Sequence, residues 1–507
     1  TQFSHDLAGR LNQVTFDTDG DGTPEQTVSY RYEAGGLRTQ LILPEGQTVT
    51  YQYDVRGQLV GVTDWEDNVT AFRFDQVGRL VQSQRANGFA SQYAYDVGGR
   101  LVRLSHTRDG QSLGHFEYTV DGRGNRTQAL ECLPRVGSGS TTYSYDSAAL
   151  HYPVGVWTDN TPYKQTVSRI AVMQLSFLAR EATLTLGQGP DHGLADIYLD
   201  GTFWQSHNLY AATPGDLTLM LAFTADGPHH LELRNRADKD PRSTGYKLAF
   251  KALVTAATSS LYDLHTLTYH YDALSRLVNA SYHPGTNPTG TAFREYAYQY
   301  DGAGNRTRET VTVEGVPTIS NWTYNGVNQI SSGGVTYDGA GRMTSDGTNP
   351  YTWDRADRLR SHNTISYQYN GLGQRVGQSG MNSTTQYLLD LQPGLFQLLA
   401  STHQVWAQPA VTTRYLHALK GIHQQQNDDE SWVYPVQDGL GSVRAVVDAA
   451  GQILESRLYA PYGDLFGGSG VMQTGFGFTG EATDASGLVY LRARYYVPGL
   501  GVFPSLD

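Results

Sequence analysis

Three scarcities in the sequence limit what this protein can be. Its 507 residues include one cysteine, Cys132, so no disulfide can form within the chain and no metal site can be built from several cysteines. Only 17% of the residues are charged and the net charge is -12, which argues against the basic surface of a nucleic-acid-binding protein. Because no run of about 18 apolar residues occurs, the sequence predicts no membrane-spanning segment in this fragment.

Common catalytic motifs are missing too. The sequence contains no Gly-x-Ser-x-Gly, no His-Glu-x-x-His and no phosphate-binding loop ending in Gly-Lys-Ser/Thr. Residues 439–444, Gly-Leu-Gly-Ser-Val-Arg, lack the lysine and the strand-to-helix context of such a loop, so we interpret them as a tight turn. What is abundant is glycine (56 residues) and tyrosine (34 residues). Tyrosine favours strands and glycine favours turns, so the composition predicts an all-β protein.

A repeat organises the first hundred residues. Each copy reads aromatic-x-aromatic-Asp or a close variant, and the second aromatic residues, Tyr32, Tyr53, Phe74 and Tyr95, are spaced 21 residues apart. A fixed period of this kind indicates stacked supersecondary units. Degenerate copies lie at 3–11 and 116–126, and looser copies at 143–146, 269–272, 298–301, 322–325, 335–338, 351–354 and 367–370. Because 3–11 already resembles a repeat, we expect the chain to begin inside a longer protein.

The chemistry of one copy predicts a β-hairpin. Aromatic-x-aromatic places two rings on one face of a strand, since side chains alternate with a period of two. The following Asp starts a turn, a Gly three residues later supplies a positive φ, and Leu begins the returning strand. About 13 such hairpins would supply about 26 strands, more than an open sheet holds without curling. We therefore expect the hairpins to coil into a hollow shell.

Four ordered motifs close the chain, and with the repeats they identify a family. They are Asp-Gly-Leu-Gly-Ser-Val-Arg at 438–444, Tyr-Ala-Pro-Tyr-Gly at 459–463, Gly-Phe-Gly-Phe-Thr-Gly at 475–480 and a Tyr- and Arg-rich stretch at 487–501. This order resembles the RHS-repeat-associated core, and Tyr-x-Tyr-Asp-x-x-Gly-Arg-Leu resembles the YD repeat of bacterial Rhs, Tc-toxin and teneurin-like shells. The resemblance implies a secreted or cell-surface bacterial shell that encloses or presents a C-terminal, toxin-like cargo segment in cis. Its last residues would be anchored inside by Arg492, Arg494, Tyr495 and Tyr496.

The resemblance also implies a self-cleaving, aspartyl-type site, which this sequence only partly retains. Arg494 matches the family pattern, but Val497 stands where Asp is usual and Val502 where Arg is usual. Such a site needs two carboxylates, because one activates water while the other stays protonated. Asp507 fits the second acidic position, so Arg494 and Asp507 are the catalytic candidates if cleavage persists. We predict no self-cleavage, with one alternative left open, in which another acid replaces the missing one: Asp438, Asp464 or Asp484.

The repeat pattern is interrupted between residues 155 and 256. Several short alternating runs there predict a β-sandwich, and the segment resembles a galactose-binding-like, jelly-roll module. We therefore predict four regions: the first part of the shell at 1–154, the inserted module at 155–256, the second part of the shell at 257–433 and the C-terminal plug at 434–507.

Glycan binding by the inserted module is the alternative function. Sugar rings stack on aromatic faces beside polar groups, and the module offers Trp157, Trp204, His207 and Tyr210. In this interpretation the chain is a secreted or cell-surface adhesion protein, resembling the shell of teneurin-like proteins, and glycans are its partners.

An acidic loop near the start is the one candidate cofactor site. Asp17, Asp19, Asp21 and Glu25 offer several hard oxygen ligands from a single tight loop, as calcium requires. The Glu comes three positions too early for an EF-hand, so a solvated hairpin turn is the other interpretation of these residues.

Overall fold

The computed structural model describes residues 1–17, 23, 25–138, 140–147, 149–256, 260–392, 396–419 and 421–506. Within these ranges the chain forms β-strands and a single 3₁₀ turn at Phe478–Gly480, which confirms the predicted all-β fold. Residues in those ranges form no helix that is long and apolar enough to cross a membrane. The chain divides into two compact units: unit one is Thr1–Tyr93 with Trp322–Asp507, and unit two is Ala94–Asn321.

The strands follow one another along the whole chain. The first twelve are β1 (Gln2–His5), β2 (Leu11–Phe16), β3 (Gln26–Tyr32), β4 (Arg38–Ile42), β5 (Thr48–Tyr53), β6 (Leu59–Thr63), β7 (Val69–Phe74), β8 (Leu80–Arg85), β9 (Phe89–Tyr95), β10 (Leu101–Arg108), β11 (Gln111–Val120) and β12 (Arg126–Ser138). The insertion contributes β13 (Thr142–Ser144), β14 (Leu150–Val154), β15 (Thr158–Asn160), β16 (Tyr163–Thr166), β17 (Val172–Gln188), β18 (Leu194–Leu199), β19 (Thr202–Asn208), β20 (Gly215–Asn235) and β21 (Leu248–Thr255).

The second half of the chain resumes the hairpins. Unit two ends with β22 (Ser260–Tyr271), β23 (Leu277–Pro284), β24 (Arg294–Tyr300), β25 (Arg306–Val313) and β26 (Val316–Asn321). Unit one continues with β27 (Val335–Tyr337), β28 (Met343–Asp346), β29 (Tyr351–Trp353), β30 (Leu359–His362), β31 (Ile365–Tyr369), β32 (Arg375–Ser379), β33 (Ser383–Asp390), β34 (Gln397–Val405), β35 (Val411–Ala418), β36 (Gly421–Gln426), β37 (Trp432–Gln437), β38 (Val443–Asp448), β39 (Ile453–Tyr459) and β40 (Leu465–Gly470). Three short strands come last: β41 (Ala482–Thr483), β42 (Val489–Tyr490) and β43 (Tyr495–Tyr496).

Most repeats form the predicted antiparallel hairpin, and the residue after the second aromatic, usually Asp, closes the turn. In the hairpin of β5 and β6, the Asp54 N–H donates to the Gln58 carbonyl at 2.9 Å, and Asp54 Oδ1 accepts from two later backbone N–H groups. Gly57 has φ 76°, the positive value that its place in the turn requires. The Asp of the repeat is therefore a turn residue with local partners.

A β-bulge sets which side chains share a face. The register shifts by one residue between Gln52 and Tyr53, so Tyr51 lies opposite Val62 and Tyr53 lies opposite Leu59. Both aromatic residues and both aliphatic residues therefore face the same side. The second tyrosine also joins neighbouring hairpins, because the Tyr53 hydroxyl donates to the Arg38 carbonyl at 2.9 Å.

The core of unit one contains residues from both of its chain segments. Buried residues of β2 to β8 pack with Leu388, Leu399 and Leu416, which lie on β33 to β35. The Arg38 guanidinium also binds the Asp390 carboxylate at 2.5 Å. Residues 352 positions apart in the sequence are thus in direct contact.

The insertion folds as two half-sheets around a single core. One half-sheet contains β14, the first half of β17, the second half of β20, β18 and β19; the other contains the remaining halves of β17 and β20 with β21, β13, β16 and β15. A register shift between Ala179 and Glu181 marks the change of half-sheet. Phe177 and Leu184, from the two halves of β17, are fully buried in the same cluster. One supposed repeat belongs here: residues 143–146 form no repeat hairpin, because β13 pairs with β21.

Candidate functional site

The chain leaves the large sheet of unit one after β40. Strands β29 to β40 pair in sequence order, and β41 to β43 form a separate three-stranded sheet. We call residues 471–506 the terminal segment. The predicted plug at 434–507 is thus divided. Its first part, up to β40, belongs to the large sheet, and the terminal segment packs on that sheet.

A buried arginine on β39 binds the start of the terminal segment. Arg457, whose side chain is 5% exposed, donates to the carbonyls of Phe476 and Thr474, both at 2.7 Å. Glu455 hydrogen-bonds Arg457 and accepts from the Gln473 N–H at 2.8 Å. Although burial disfavours the charge, the hydrogen bond to Glu455 leaves the pKa of Arg457 raised. One ion pair thus binds three backbone groups of the segment, at residues 473, 474 and 476.

A second buried arginine, Arg375 on β32, binds the middle of the segment. Its Nη1 lies 3.3 Å from Asp484 Oδ2 and 3.3 Å from the Tyr495 hydroxyl, and its guanidinium lies 4.0 Å from the centroid of the Tyr490 ring. The Tyr367 hydroxyl donates to the same Asp484 oxygen at 2.8 Å. The cation is therefore balanced by one carboxylate and surrounded by tyrosine rings.

Apolar contacts complete the docking of the segment. Leu488, Tyr490 and Tyr495 are buried against the repeat residues Met343, Tyr351, Leu359 and Tyr367. Burying a side chain of this size contributes about 1.5–3 kcal/mol. The aromatic residues of the repeats are thus the surface on which the terminal segment packs.

The stretch that carries the candidate cleavage residue Arg494 forms a tight turn at residues 497–502. Arg494 lies over the Phe503 ring at 3.9 Å, and the Val497 N–H donates to the Val502 carbonyl at 2.9 Å. Both valines therefore close the turn where the family has charged residues. Asp507 lies outside the described residues.

One of the three alternative acids lies beside this turn. A Cβ placed on Gly499 would be 3.7 Å from Asp464 Oδ2. The other two have arginine partners elsewhere, since Asp438 binds Arg444 at 3.2 Å and Asp484 binds Arg375.

Two of the predicted anchors also contact the sheet. The Tyr496 hydroxyl donates to the Tyr462 carbonyl at 2.8 Å. Arg492 donates to the Phe396 carbonyl at 3.1 Å and pairs with Glu481 at 2.7 Å. Each anchor thus fixes a different point of the terminal segment.

In the insertion, the structure brings two of the four glycan candidates together. The rings of Trp204 and His207, both on β19, have centroids 6.1 Å apart. Trp157 packs on Tyr152 with centroids 5.4 Å apart, and the Tyr210 ring lies under the Arg242 guanidinium at 4.7 Å. Burial lowers the pKa of His207, so its ring is neutral at pH 7.

The predicted calcium loop falls mostly outside the described residues. Asp19 and Asp21 are among the residues not described, while the Glu25 N–H donates to the Phe16 carbonyl at 3.0 Å and closes the β2–β3 hairpin. In the ranges given above, no three potential metal-ligating side chains form a group.

The importance of Arg375 can be inferred from its position within the repeat, although neither the composition nor the named motifs indicate it. Most repeats have an aliphatic residue five positions after the turn residue, as at Leu59 after Asp54. Four repeats have Arg at that position instead: Arg38, Arg126, Arg306 and Arg375. Each guanidinium lies over a tyrosine of its own hairpin, as Arg126 does over Tyr118 at 3.7 Å. An arginine at a repeat position that is usually apolar therefore indicates a contact outside the repeat pattern. The sequence does not show which residue the arginine binds.

Comparison with known families and proteins gives a consistent result. A family model described as the teneurin YD-shell matches residues 1–184 and 251–507. The tRNA3(Ser)-specific nuclease WapA of Bacillus spizizenii is 28% identical over 251 residues, which are 47% of this chain and 10% of that protein. Teneurin-1 of Mus musculus is 27% identical over 232 residues, 39% of this chain and 8% of that protein.

Solved toxin structures are similar along nearly the whole chain, and a holotoxin pore is one of them. A chain of the Photorhabdus luminescens Tc holotoxin pore matches 99% of these residues with a TM-score of 0.53 at 16% identity, and 22% of that chain is covered. This likeness concerns the fold. The chain spans about a tenth of the length of the curated relatives named above.

Proposed function

Because the chain belongs to the teneurin YD-shell family, we propose that it is part of a shell that encloses or presents a C-terminal, toxin-like cargo segment of the same protein. The observation that carries the proposal is the docking of the terminal segment, whose backbone is bound by buried Arg457 and whose tyrosines surround buried Arg375. Relatives named as a nuclease and as a toxin pore support a toxin-related role. The same proposal assigns the protein to the outside of the producing cell, secreted or at its surface.

Protease protection tests the proposal. A flexible, epitope-tagged peptide is fused after Asp507, and a matched protein carries the same peptide before Thr1. We expect the C-terminal tag to be cleaved at least about tenfold more slowly than the N-terminal tag, because only the former is shielded by the folded shell. Equal cleavage rates for the two tags would refute the proposal.

The insertion supports a second candidate function, glycan binding. The observation that favours it is the Trp204–His207 pair on β19, where the tryptophan ring is only partly buried. Binding on a glycan array should disappear with Trp204→Ala and persist with Phe203→Ala, since the Phe203 ring packs on Tyr198, with centroids 5.5 Å apart, and is not part of the Trp204–His207 pair. Equal binding by both variants would remove this candidate.

A further inference from the structure

A cavity of about 260 Å³ lies between the sheet of unit one and the terminal segment. One wall comes from β32 to β35 and includes Tyr387 and His417, and the other comes from the terminal segment and includes Phe476 and Ala482. The volume suits a small ligand of one or two rings. Since half of the wall belongs to the terminal segment, the cavity exists only while that segment is docked.

The charges on the wall cancel. Arg375 pairs with Asp484 at 3.3 Å, and Arg492 pairs with Glu481 at 2.7 Å. Burial lowers the pKa of His417 to about 4, so its ring is neutral at pH 7. An ionic ligand would therefore lose its hydration without gaining an unpaired counter-charge.

The rest of the wall favours a ring with a polar group. Five aromatic side chains line the cavity: Tyr387, Phe396, Tyr415, Phe476 and Tyr490. Among the described residues the Tyr387 hydroxyl has no hydrogen-bond partner, and burial raises the pKa of Tyr387 to about 12, which keeps the hydroxyl protonated. A protonated hydroxyl can both donate and accept one hydrogen bond from a ligand.

We propose that this cavity binds a neutral ring compound that carries a hydroxyl or amide group. The ring packs between the aromatic side chains, and its polar group meets the Tyr387 hydroxyl. This site is independent of the proposed cargo role, because it requires the docked terminal segment and no cargo.

Titration of the full chain with three probes of equal size tests the charge preference. The probes are para-hydroxybenzamide, which is neutral, para-hydroxybenzoate, an anion, and para-hydroxybenzylamine, a cation. We expect the neutral probe to bind with a dissociation constant on the order of 1 mM or tighter, and both ions to bind at least about tenfold more weakly. Equal affinities, or no binding by the neutral probe at about 10 mM, would overturn the proposal.

Three variants locate the binding. Ala482→Phe fills the cavity and should abolish binding of para-hydroxybenzamide. Tyr387→Phe removes one hydroxyl and should weaken binding about fivefold, while Tyr53→Phe, which removes a hydroxyl outside the cavity, should leave it unchanged. If Ala482→Phe does not fold, the two tyrosine variants decide the question, and equal affinities for them would contradict the assignment.

Discussion

Two regions of unit one use arginine–aspartate pairs in opposite ways. In the repeat hairpin of β29 and β30, Arg358 Nε binds Asp354 Oδ2 at 2.7 Å, four residues away, with the two side chains 32% and 19% exposed. In the docking of the terminal segment, Arg375 binds an aspartate 109 residues away, with the two side chains 4% and 2% exposed. The first pair closes a local turn, whereas the second joins distant parts of the chain.

The difference is one of energy as well as distance. A pair in contact with water contributes little, because solvent screens the charges and both side chains lose rotational freedom. A buried pair is costly to form, but removing one partner leaves an uncompensated charge in a medium of low dielectric constant. Removing one partner of an ion pair in a repeat should therefore change the stability little. Removing one partner of the buried pair under the terminal segment should lower the stability strongly.

The largest effect is expected from Arg375→Met. This substitution keeps the length of the side chain but leaves the Asp484 carboxylate buried without its cation, so the free energy of unfolding should fall by about 3–5 kcal/mol. Urea unfolding followed by tyrosine fluorescence measures it. Adding Asp484→Asn to the same chain should recover part of the loss, because the uncompensated charge is then gone. A loss below about 1 kcal/mol for the single variant would show that the pair is not effectively buried.

Acid should weaken unit one through a histidine that faces the terminal segment. Burial lowers the pKa of His417 to about 4 from its ordinary 6.5, and its Nε2 lies 2.7 Å from the Leu398 carbonyl oxygen. The unfolded chain then takes up the proton first, so this stability is present above pH 6.5 and is lost as the pH falls toward 4. The full shift corresponds to about 3 kcal/mol, and partial exposure of the ring reduces this to about 2 kcal/mol.

Unfolding by urea at pH 7 and pH 4.5 tests the role of His417. The difference between the two pH values should be smaller in His417→Gln than in the unchanged protein. Exposed His270 provides the control, since His270→Gln should leave that difference as it was. An unchanged difference in His417→Gln would place the acid sensitivity in other groups.

The sequence predicts the local turns of the repeats but not the contacts between distant parts of the chain. Hairpins were predictable because their causes lie within a few residues: Asp54 bonds to its own turn, and Gly57 supplies the positive φ. The partner of Arg375 was not predictable, since nothing near residue 375 specifies residue 484. The turn at Val497 was likewise visible as a departure from the family, but only the fold places Asp464 beside Gly499.

The insertion shows the same limit. Its strands and its sandwich were expected from alternation, but the course of β17 and β20 through both half-sheets was not. The cause is the irregularity between Ala179 and Glu181, where β17 has no turn residue; β20 reads Asp-Gly-Pro at 226–228, which from sequence alone predicts a break between two strands.

Two glycines of one repeat turn allow the stability cost of a side chain at a positive φ to be measured. Gly302 and Gly304 lie in the same turn, and a Cβ on either would meet no atom within 4 Å. Only Gly304 has a positive φ, +92°, so Gly304→Ala should cost about 1 kcal/mol of unfolding free energy while Gly302→Ala costs almost nothing. Thermal unfolding of the two variants measures the difference. Equal costs would mean that the positive φ is not what the turn requires.

The smallest effect is expected from Arg358→Met, the counterpart of Arg375→Met in a repeat. Its pair with Asp354 is open to water, and its bond to the Asn370 carbonyl, at 3.2 Å, is easily replaced by solvent. The free energy of unfolding should fall by less than about 1 kcal/mol in the same urea experiment. If Arg358→Met instead costs as much as Arg375→Met, exposure is not what separates the two regions. The repeats would then depend on their charged pairs as strongly as the terminal segment does.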